Sequence, residues 1–226
     1  MATTTINVTA QAYDTIKDES TALTQRSTLK FTGDGVTAAD SGGETVVTIA
    51  GPAATTNVGL FAQTANSPTL TATTAEGTLI DGGVGSLSVP ANGFKVGDSF
   101  RVEMGGIISA HNNDTIRIRL KSGSVSLGDS GTLTLPGMTN QVWALTVTFT
   151  IRAIGAAGVA SVVTLAQFHI LKKQAGGSQE GFAWNTINNT TFDTTASNTL
   201  NITAQFSSNN AQNSIYSDIF VLNKTY

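Results

Sequence analysis

Positive charge is concentrated in one short stretch of this sequence, DTIRIRLKSG, in which Arg117, Arg119 and Lys121 alternate with apolar residues. Strict alternation predicts a β-strand whose three cations share one face. The preceding stretch DSFRVEMGGIISA adds Arg101 and Glu103, and HNND between them is typical of a turn, so we expect the two stretches to pair as a hairpin. The row of cations either lies on a solvated sheet face, binds acidic glycans, or contacts another subunit.

A second candidate site is the stretch SQEGFAWNTINNTTFDTTASN, where Phe182, Trp184 and Phe192 lie among amide and hydroxyl side chains. Aromatic rings stack on sugar faces, while Asn and Thr form hydrogen bonds with sugar hydroxyls. This composition suits weak carbohydrate recognition. The alternative is that these rings pack into the hydrophobic core.

Residues for acid-base or metal chemistry are sparse. His111 lies in a predicted turn and His169 in a predicted strand, and neither has further ligands at the local spacing of a zinc site. Many of the fifteen acidic residues stand beside Gly, Ser, Thr or Asn, a context that favours turns over calcium ligation. No nucleophile elbow occurs, although a Ser-His-Asp triad assembled through the fold stays open. We therefore expect no enzymatic activity and no bound cofactor or metal.

The composition restricts the class of partner. Charged residues make up only 12% of the chain, so uncharged polar residues must cover its surface. The net charge of -3 and the lack of a long basic run argue against nucleic acid as a partner. Without cysteine, neither disulfides nor thiolate metal sites are possible. The N-terminus is unlike a secretory signal and no long apolar run occurs, so we expect no membrane insertion.

The remaining patterns predict β-strands almost throughout. The pair Gly105-Gly106 interrupts an alternating stretch and predicts a bulge or bend. QVWALTVTFTIRAIG and ASVVTLAQFHILKK predict a second, longer hairpin across GAAG. The latter strand is apolar on both faces, so a subunit contact would cover its outer face. Roughly eight antiparallel strands from residue 57 onward fit a jelly-roll β-sandwich, with an immunoglobulin-like sandwich as the alternative.

The first 55 residues differ from the rest because they contain few large apolar side chains. Burial therefore cannot readily offset a chain entropy of roughly 1 to 2 kcal/mol per residue. We expect residues 1–55 to be stable only against other chains, and residues 56–226 to form the main domain. The residues expected at those contacts are Val36, Val46, Val47 and Ile49. The alternative is a tail with one β-hairpin packed on the main domain.

The glycine pattern of the N-terminal part resembles a known family. The segments Gly33-Asp34-Gly35-Val36, Asp40, Gly42-Gly43, Val46-Val47-Thr48-Ile49 and Gly51 resemble a pattern that recurs in the N-terminal and shaft regions of bacteriophage tail and head fibre proteins. FKVGDSFRVEMGGIIS, DTIRIRLKSG and NSIYSDIFVLNKTY are similar, in that order, to segments of the globular tips of those fibres. Together the resemblance covers most of the chain.

The resemblance implies a homotrimeric virion protein on the exterior of the particle. Residues 1–55 would be the segment that attaches to other virion proteins and trimerises, and residues 56–226 a jelly-roll head that contacts host-surface carbohydrate. The short chain favours a short spike or capsid fibre over a long tail fibre. One alternative is a capsid decoration or minor capsid protein that stabilises the shell. Another is a cellular carbohydrate-binding or cytokine-like jelly-roll module.

Overall fold

The chain divides into two units, Met1–Thr55 and Thr56–Tyr226, in a computed structural model. The structure describes residues 17–18, 21–22, 36–41, 44–49, 58–171 and 179–226. All regular secondary structure in these ranges is β-strand, and every strand pair is antiparallel. No helix in the described ranges is long and apolar enough to cross a membrane. The predicted all-β, antiparallel class is confirmed.

The first unit contains two short ladders within its described residues. Its strands are β1 (Lys17–Asp18), β2 (Thr21–Ala22), β3 (Val36–Ser41) and β4 (Glu44–Ile49). β1 pairs with β2, and β3 pairs with β4 so that Val36 lies opposite Ile49 and Ala39 opposite Val46. Val47 is partly buried, whereas the side chains of Val36, Val46 and Ile49 lie outside the described part of the structure. Their predicted contacts with other chains stay a prediction.

The described part of the second unit contains fourteen strands. They are β5 (Val58–Gln63), β6 (Leu70–Thr71), β7 (Gly77–Thr78), β8 (Gly83–Gly85), β9 (Ser88–Val89), β10 (Ser99–Ala110), β11 (Thr115–Ser122), β12 (Val125–Asp129), β13 (Leu133–Thr134), β14 (Met138–Ala153), β15 (Ser161–Leu171), β16 (Gln179–Asn188), β17 (Asn198–Phe206) and β18 (Ser214–Lys224). The turns between them carry residues suited to positive φ, such as Asn113 at 68° and Gly158 at 84°.

These strands form two sheets that share one core. The long sheet has eight strands in the order β16-β15-β14-β10-β18-β5-β8, with β6 paired to β18. The short sheet has six, in the order β12-β11-β17-β7, with β13 paired to β11 and β9 to β17. Alternate residues of both sheets enter one hydrophobic cluster, as Trp143 and Leu145 do from β14, and Ile116 and Ile118 from β11. The arrangement is consistent with a β-sandwich.

The predicted bulge in β10 is present. The register of β10 against β18 shifts between Gly105 and Gly106. A Cβ atom at Gly106 would overlap the carbonyl oxygen of Tyr216 and lie 2.7 Å from the Cα of Ser217, so the two backbones approach too closely for a side chain. The predicted hairpin of β14 and β15 is also confirmed, with Leu145 opposite Phe168.

The predicted hairpin between β10 and β11 is wrong. β14 and β18 occupy the two edges of β10, and β11 pairs instead with β12, β13 and β17 in the short sheet. The HNND segment therefore carries the chain from one sheet to the other. As a result, Arg101 and Glu103 do not neighbour the row of cations on β11, and they pair with each other at 2.7 Å.

The buried residue Asn213 links the β10–β11 connection to the β17–β18 connection through hydrogen bonds. Asn213 is fully buried, and its Oδ1 accepts a hydrogen bond of 2.9 Å from the backbone N–H of His111. Its Nδ2 donates to Oδ2 of Asp114 at 2.8 Å, and the Ser208 hydroxyl donates to the same oxygen at 2.6 Å. One polar network thus links two of the places where the chain changes sheet.

Replacing Asn213 with alanine is expected to lower the free energy of unfolding by about 2 to 3 kcal/mol, because the hydrogen bonds of a fully buried side chain are lost: the His111 N–H loses its acceptor and Asp114 loses one of its donors. Urea denaturation measures the change. Asn209→Ala is the matched control, since Asn209 is exposed in the same connection and should change stability by less than about 0.5 kcal/mol. Equal stability of the two variants would show that the network does not hold the crossings.

Candidate functional site

The row of cations predicted on β11 forms with the expected alternation. Ile116, Ile118 and Leu120 are buried, whereas Arg117 is exposed and Arg119 is half-buried on the opposite face. Two carboxylates join the row, and we call the five residues the charged ladder: Glu76, Arg117, Arg119, Lys121 and Asp129. The structure therefore brings the three predicted cations together, but on the outer face of the short sheet and beside acids.

Ion pairs connect all members of the charged ladder. Arg117 donates from Nε to Oδ1 of Asp129 at 2.7 Å and from Nη2 to the other carboxylate oxygen, a bidentate pair. Arg119 places Nη1 3.3 Å from Glu76 and Nε 3.5 Å from Asp129. Lys121 Nζ lies 3.1 Å from Glu76. Three cations thus share two carboxylates, and the ladder keeps one net positive charge.

The pKa values of the two acids follow from this geometry. Burial acts to raise the pKa of Asp129, but hydrogen bonds from Arg117 and from the backbone N–H of Gly131, with the nearby guanidinium charges, lower it below 3.8. Burial likewise acts to raise the pKa of Glu76, and hydrogen bonds from Thr203 and Lys121 outweigh it. Both groups are therefore ionised throughout the neutral range.

The ladder should stabilise the fold only while its acids are ionised. Because the folded-state pKa of Asp129 lies below its ordinary value of 3.8, its contribution is complete above that value and is lost as pH falls through the lower folded value. We expect Asp129→Asn to cost about 1 to 2 kcal/mol at pH 7 and clearly less at about pH 2.5. Urea unfolding at both pH values measures this difference. A gap between the two proteins that is equally large at both pH values would contradict the assignment, and Asp218→Asn, at an exposed carboxylate, is the control.

Paired charges change what the ladder can bind. An acidic glycan would have to compete with Asp129 and Glu76 for the cations, and only the bidentate pair at Arg117, whose side chain is 46% exposed, is readily reached from solvent. Gln205 adds a carbonyl that accepts from both terminal nitrogens of Arg119 at 3.1 Å. Sequence reasoning missed Glu76 because it lies 45 residues from Lys121 in the chain. It missed Asp129 because β12, the strand that places Asp129 opposite Arg119, was not predicted.

The aromatic candidate site is not a surface cluster. Phe182 and Trp184 lie on β16, are partly buried and pack against the core, with Phe182 stacked 6.3 Å from the ring of Phe168. Phe192 is fully buried, with its ring edge-on to that of Phe94 at 5.9 Å. Phe192 therefore cannot contact a host glycan in this fold. Core packing, the alternative to a sugar site, therefore describes these rings. Phe182 and Trp184 point inward because side chains alternate along β16.

A large uncharged surface lies on the outer side of the long sheet. We call it the open face, and it consists of the outward residues Ala144, Thr146, Thr148 and Thr150 of β14, Val163, Leu165, Gln167 and His169 of β15, and Ala183, Asn185 and Ile187 of β16. None of these residues is buried, and none is Lys, Arg, Asp or Glu. Leu165 is 53% exposed and Ile187 56% exposed. The sequence predicts that β15 is covered on both faces. Its own chain covers the inner face, and the outer face belongs to the open face.

His111 lies near Ser208 and Asp114, but these three residues are not arranged as a catalytic triad. In a Ser-His-Asp triad the hydroxyl donates to the imidazole and the imidazole to the carboxylate. Here the Ser208 hydroxyl donates directly to Asp114, and His111 Nδ1 lies 3.8 Å from the other oxygen of that carboxylate. Within the described residues, no group of three or more His, Cys, Asp or Glu side chains could hold a metal ion.

Comparison with protein-family models, with curated proteins and with solved structures finds no match to this chain. Functional inference therefore rests on two surfaces of the second unit, the charged ladder and the open face. They lie on the outer sides of opposite sheets, because the ladder belongs to β11 and its neighbours in the short sheet and the open face to β14, β15 and β16.

Proposed function

We propose that this protein is a non-enzymatic structural protein of a virus particle, a short homotrimeric fibre or spike whose jelly-roll head lies on the exterior of the virion. The observation that carries the proposal is the open face, where exposed Leu165, Ile187 and partly exposed Val163 lie among threonines on a surface without Lys, Arg, Asp or Glu. Contiguous apolar surface of this kind marks interaction sites.

The occupant proposed for the open face is a further copy of the same chain. The open faces of three chains can converge around a threefold axis, and a surface without net charge does so without like-charge repulsion. At the β10 edge, Arg101 and Glu103 pair with each other at 2.7 Å and so add no net charge there. At the end of β14, Arg152 is exposed two residues beyond Thr150. The number of copies, three, comes from the resemblance to fibre proteins.

The size of the open face indicates that it does not assemble the trimer alone. Three strands about 4.8 Å apart and four rows of outward residues about 6.7 Å apart cover on the order of 400 Å². Stable complexes bury about 800 Å² on each partner. Further contacts are therefore needed, and we propose that the first unit supplies them through Val36, Val46, Val47 and Ile49, in a segment that also attaches the trimer to other virion proteins.

A head assembled through the open face would turn the opposite sheet outward. The charged ladder then becomes the proposed contact with host-surface carbohydrate, because Arg117 and Asp129 offer donors and acceptors in a fixed bidentate pair. Glycan binding by the wild type but not by Arg117→Ala, with unchanged oligomer mass, would support this role. Equal glycan binding by both proteins would remove the ladder from the proposed function.

The full-length protein is expected to have a solution mass of about 70 kDa, three times the 23.3 kDa of one chain. Light scattering coupled to size-exclusion chromatography measures it, at several protein concentrations. A mass of 23.3 kDa at every concentration would contradict the fibre and favour a solitary binding module. If the trimer forms, antibody labelling of intact particles tests whether it lies on the virion exterior.

A further inference from the structure

A cavity of about 210 Å³ lies between the two sheets of the second unit, where β10 begins and β18 ends. This volume exceeds the roughly 150 Å³ of an engineered apolar cavity that binds benzene. Phe100, Phe149 and Leu222 line it from the long sheet, and Leu127 and Leu200 line it from the short sheet. Its walls are therefore mostly apolar.

The segment that contains β9 and the loop between β9 and β10 forms one side of the cavity. Leu87, Val89 and Phe94 of this segment face it. The segment is held in place by the backbone, since Leu200 N–H donates to the Leu87 carbonyl at 2.9 Å and Val89 pairs with Asn198. The cavity is thus enclosed by fixed structure on this side.

The polar side chains that reach the cavity already have partners. Lys224 Nζ lies 2.6 Å from Oδ1 of Asp98, whose side chain is only 9% exposed, and Oδ2 of Asp98 accepts from the backbone N–H of Lys95 at 2.8 Å. The Ser122 hydroxyl donates to Asn198 at 2.9 Å. No charge in the lining therefore lacks a counter-ion.

We propose that this cavity is a binding site for an uncharged, mainly aliphatic molecule of about eight carbon atoms, such as a medium-chain alcohol. The chain would lie between the phenylalanine and leucine walls, and its hydroxyl would lie beside Lys224 and Asp98. An anionic head group would have to take Lys224 from Asp98 and leave a nearly buried carboxylate without its cation. This site is independent of the proposed virion function.

The test uses the full-length protein with labelled leucine and valine methyl groups, titrated with 1-octanol and separately with octanoate in NMR experiments. Octanol is expected to shift methyl signals of Leu127, Leu200 and Leu222 in a saturable way, with Kd below about 1 mM, and octanoate to bind at least about tenfold more weakly. Absence of saturable shifts up to the solubility limit of octanol would overturn the site. Tighter binding of octanoate would overturn the proposed ligand class.

Two valine variants test whether octanol binds inside this cavity. Val89 and Val125 are both partly buried and pack against the core, but only Val89 lines the cavity. Val89→Phe is expected to raise the octanol Kd at least about tenfold, and Val125→Phe to leave it within about twofold. Equal Kd values for both variants would overturn the assignment. If Val89→Phe does not fold, nuclear Overhauser effects between octanol and the rings of Phe94 and Phe149 in the wild type decide: their presence supports the site and their absence overturns it.

Discussion

Replacement of Gly106 by alanine is expected to lower the free energy of unfolding by about 3 kcal/mol or more. The added Cβ would overlap the Tyr216 carbonyl oxygen and approach the Cα of Ser217 to 2.7 Å, and both are backbone atoms of β18 that no rotamer change can move. Relief therefore requires β18 to shift from β10. That shift would also disturb the 3.1 Å hydrogen bond that Trp143 Nε1 donates to the same carbonyl. Urea unfolding followed by tryptophan fluorescence measures the loss.

Gly82→Ala is the matched control for this prediction. A Cβ at Gly82 meets no atom within 4 Å, so the expected change is within about 0.5 kcal/mol. A stability of Gly106→Ala close to that of Gly82→Ala would mean that the bulge tolerates a side chain. The glycine pair would then reflect composition and not a close backbone approach.

The bulge at Gly106 was predictable because the sequence signal for it is local. Two glycines that interrupt an alternating stretch indicate a break in a ladder whichever strand lies alongside. The hairpin of β14 and β15 was predictable for the same reason, since both strands and their turn are contiguous in sequence. Features with this short range follow from residue type and spacing.

The partner of β10 was not predictable from its neighbours in sequence. HNND has the composition of a hairpin turn, yet the same residues serve a crossing between sheets once β14 and β18 occupy both edges of β10. The network of Asn213, Asp114 and Ser208 that holds this crossing spans about a hundred residues of chain. A turn pattern specifies a reversal of direction, not the sheet that receives the next strand.

The candidate sites show the same limit. The alternation of Arg117 and Arg119 with buried residues was predictable, but the pairing of Arg119 with Glu76 depends on how distant segments meet. The pairing with Asp129 depends on the hairpin of β11 and β12, whose second strand the sequence patterns did not predict. Aromatic side chains among amides are equally typical of a sugar site and of a core strand. Phe192 is buried because it packs on Phe94, a contact between segments almost a hundred residues apart.

A single charge at the centre of the open face is expected to dissociate the proposed trimer. In Leu165→Glu, a carboxylate replaces a 53% exposed leucine between Asn185 and Thr148. The cation in the same cross-strand row, Arg101 on β10, is already paired with Glu103. Assembly would desolvate one such charge in each of three chains, so we expect the dissociation constant of the trimer to rise at least about a hundredfold. Light scattering should then give a mass near the 23.3 kDa of one chain where the wild type gives about 70 kDa.

Two further variants show whether the position of the new charge and the charge itself cause the dissociation. Val96→Glu places the same charge at a valine that is 61% exposed in a loop, and it should remain trimeric. Leu165→Thr removes apolar area without adding charge, so it should weaken the trimer by about tenfold only. If Leu165→Glu keeps the trimer mass, the open face faces solvent and the contacts must lie elsewhere in the chain. If the Val96→Glu trimer also dissociates, added negative charge weakens the trimer wherever it is placed. A local interface would instead be weakened by Leu165→Glu and not by Val96→Glu.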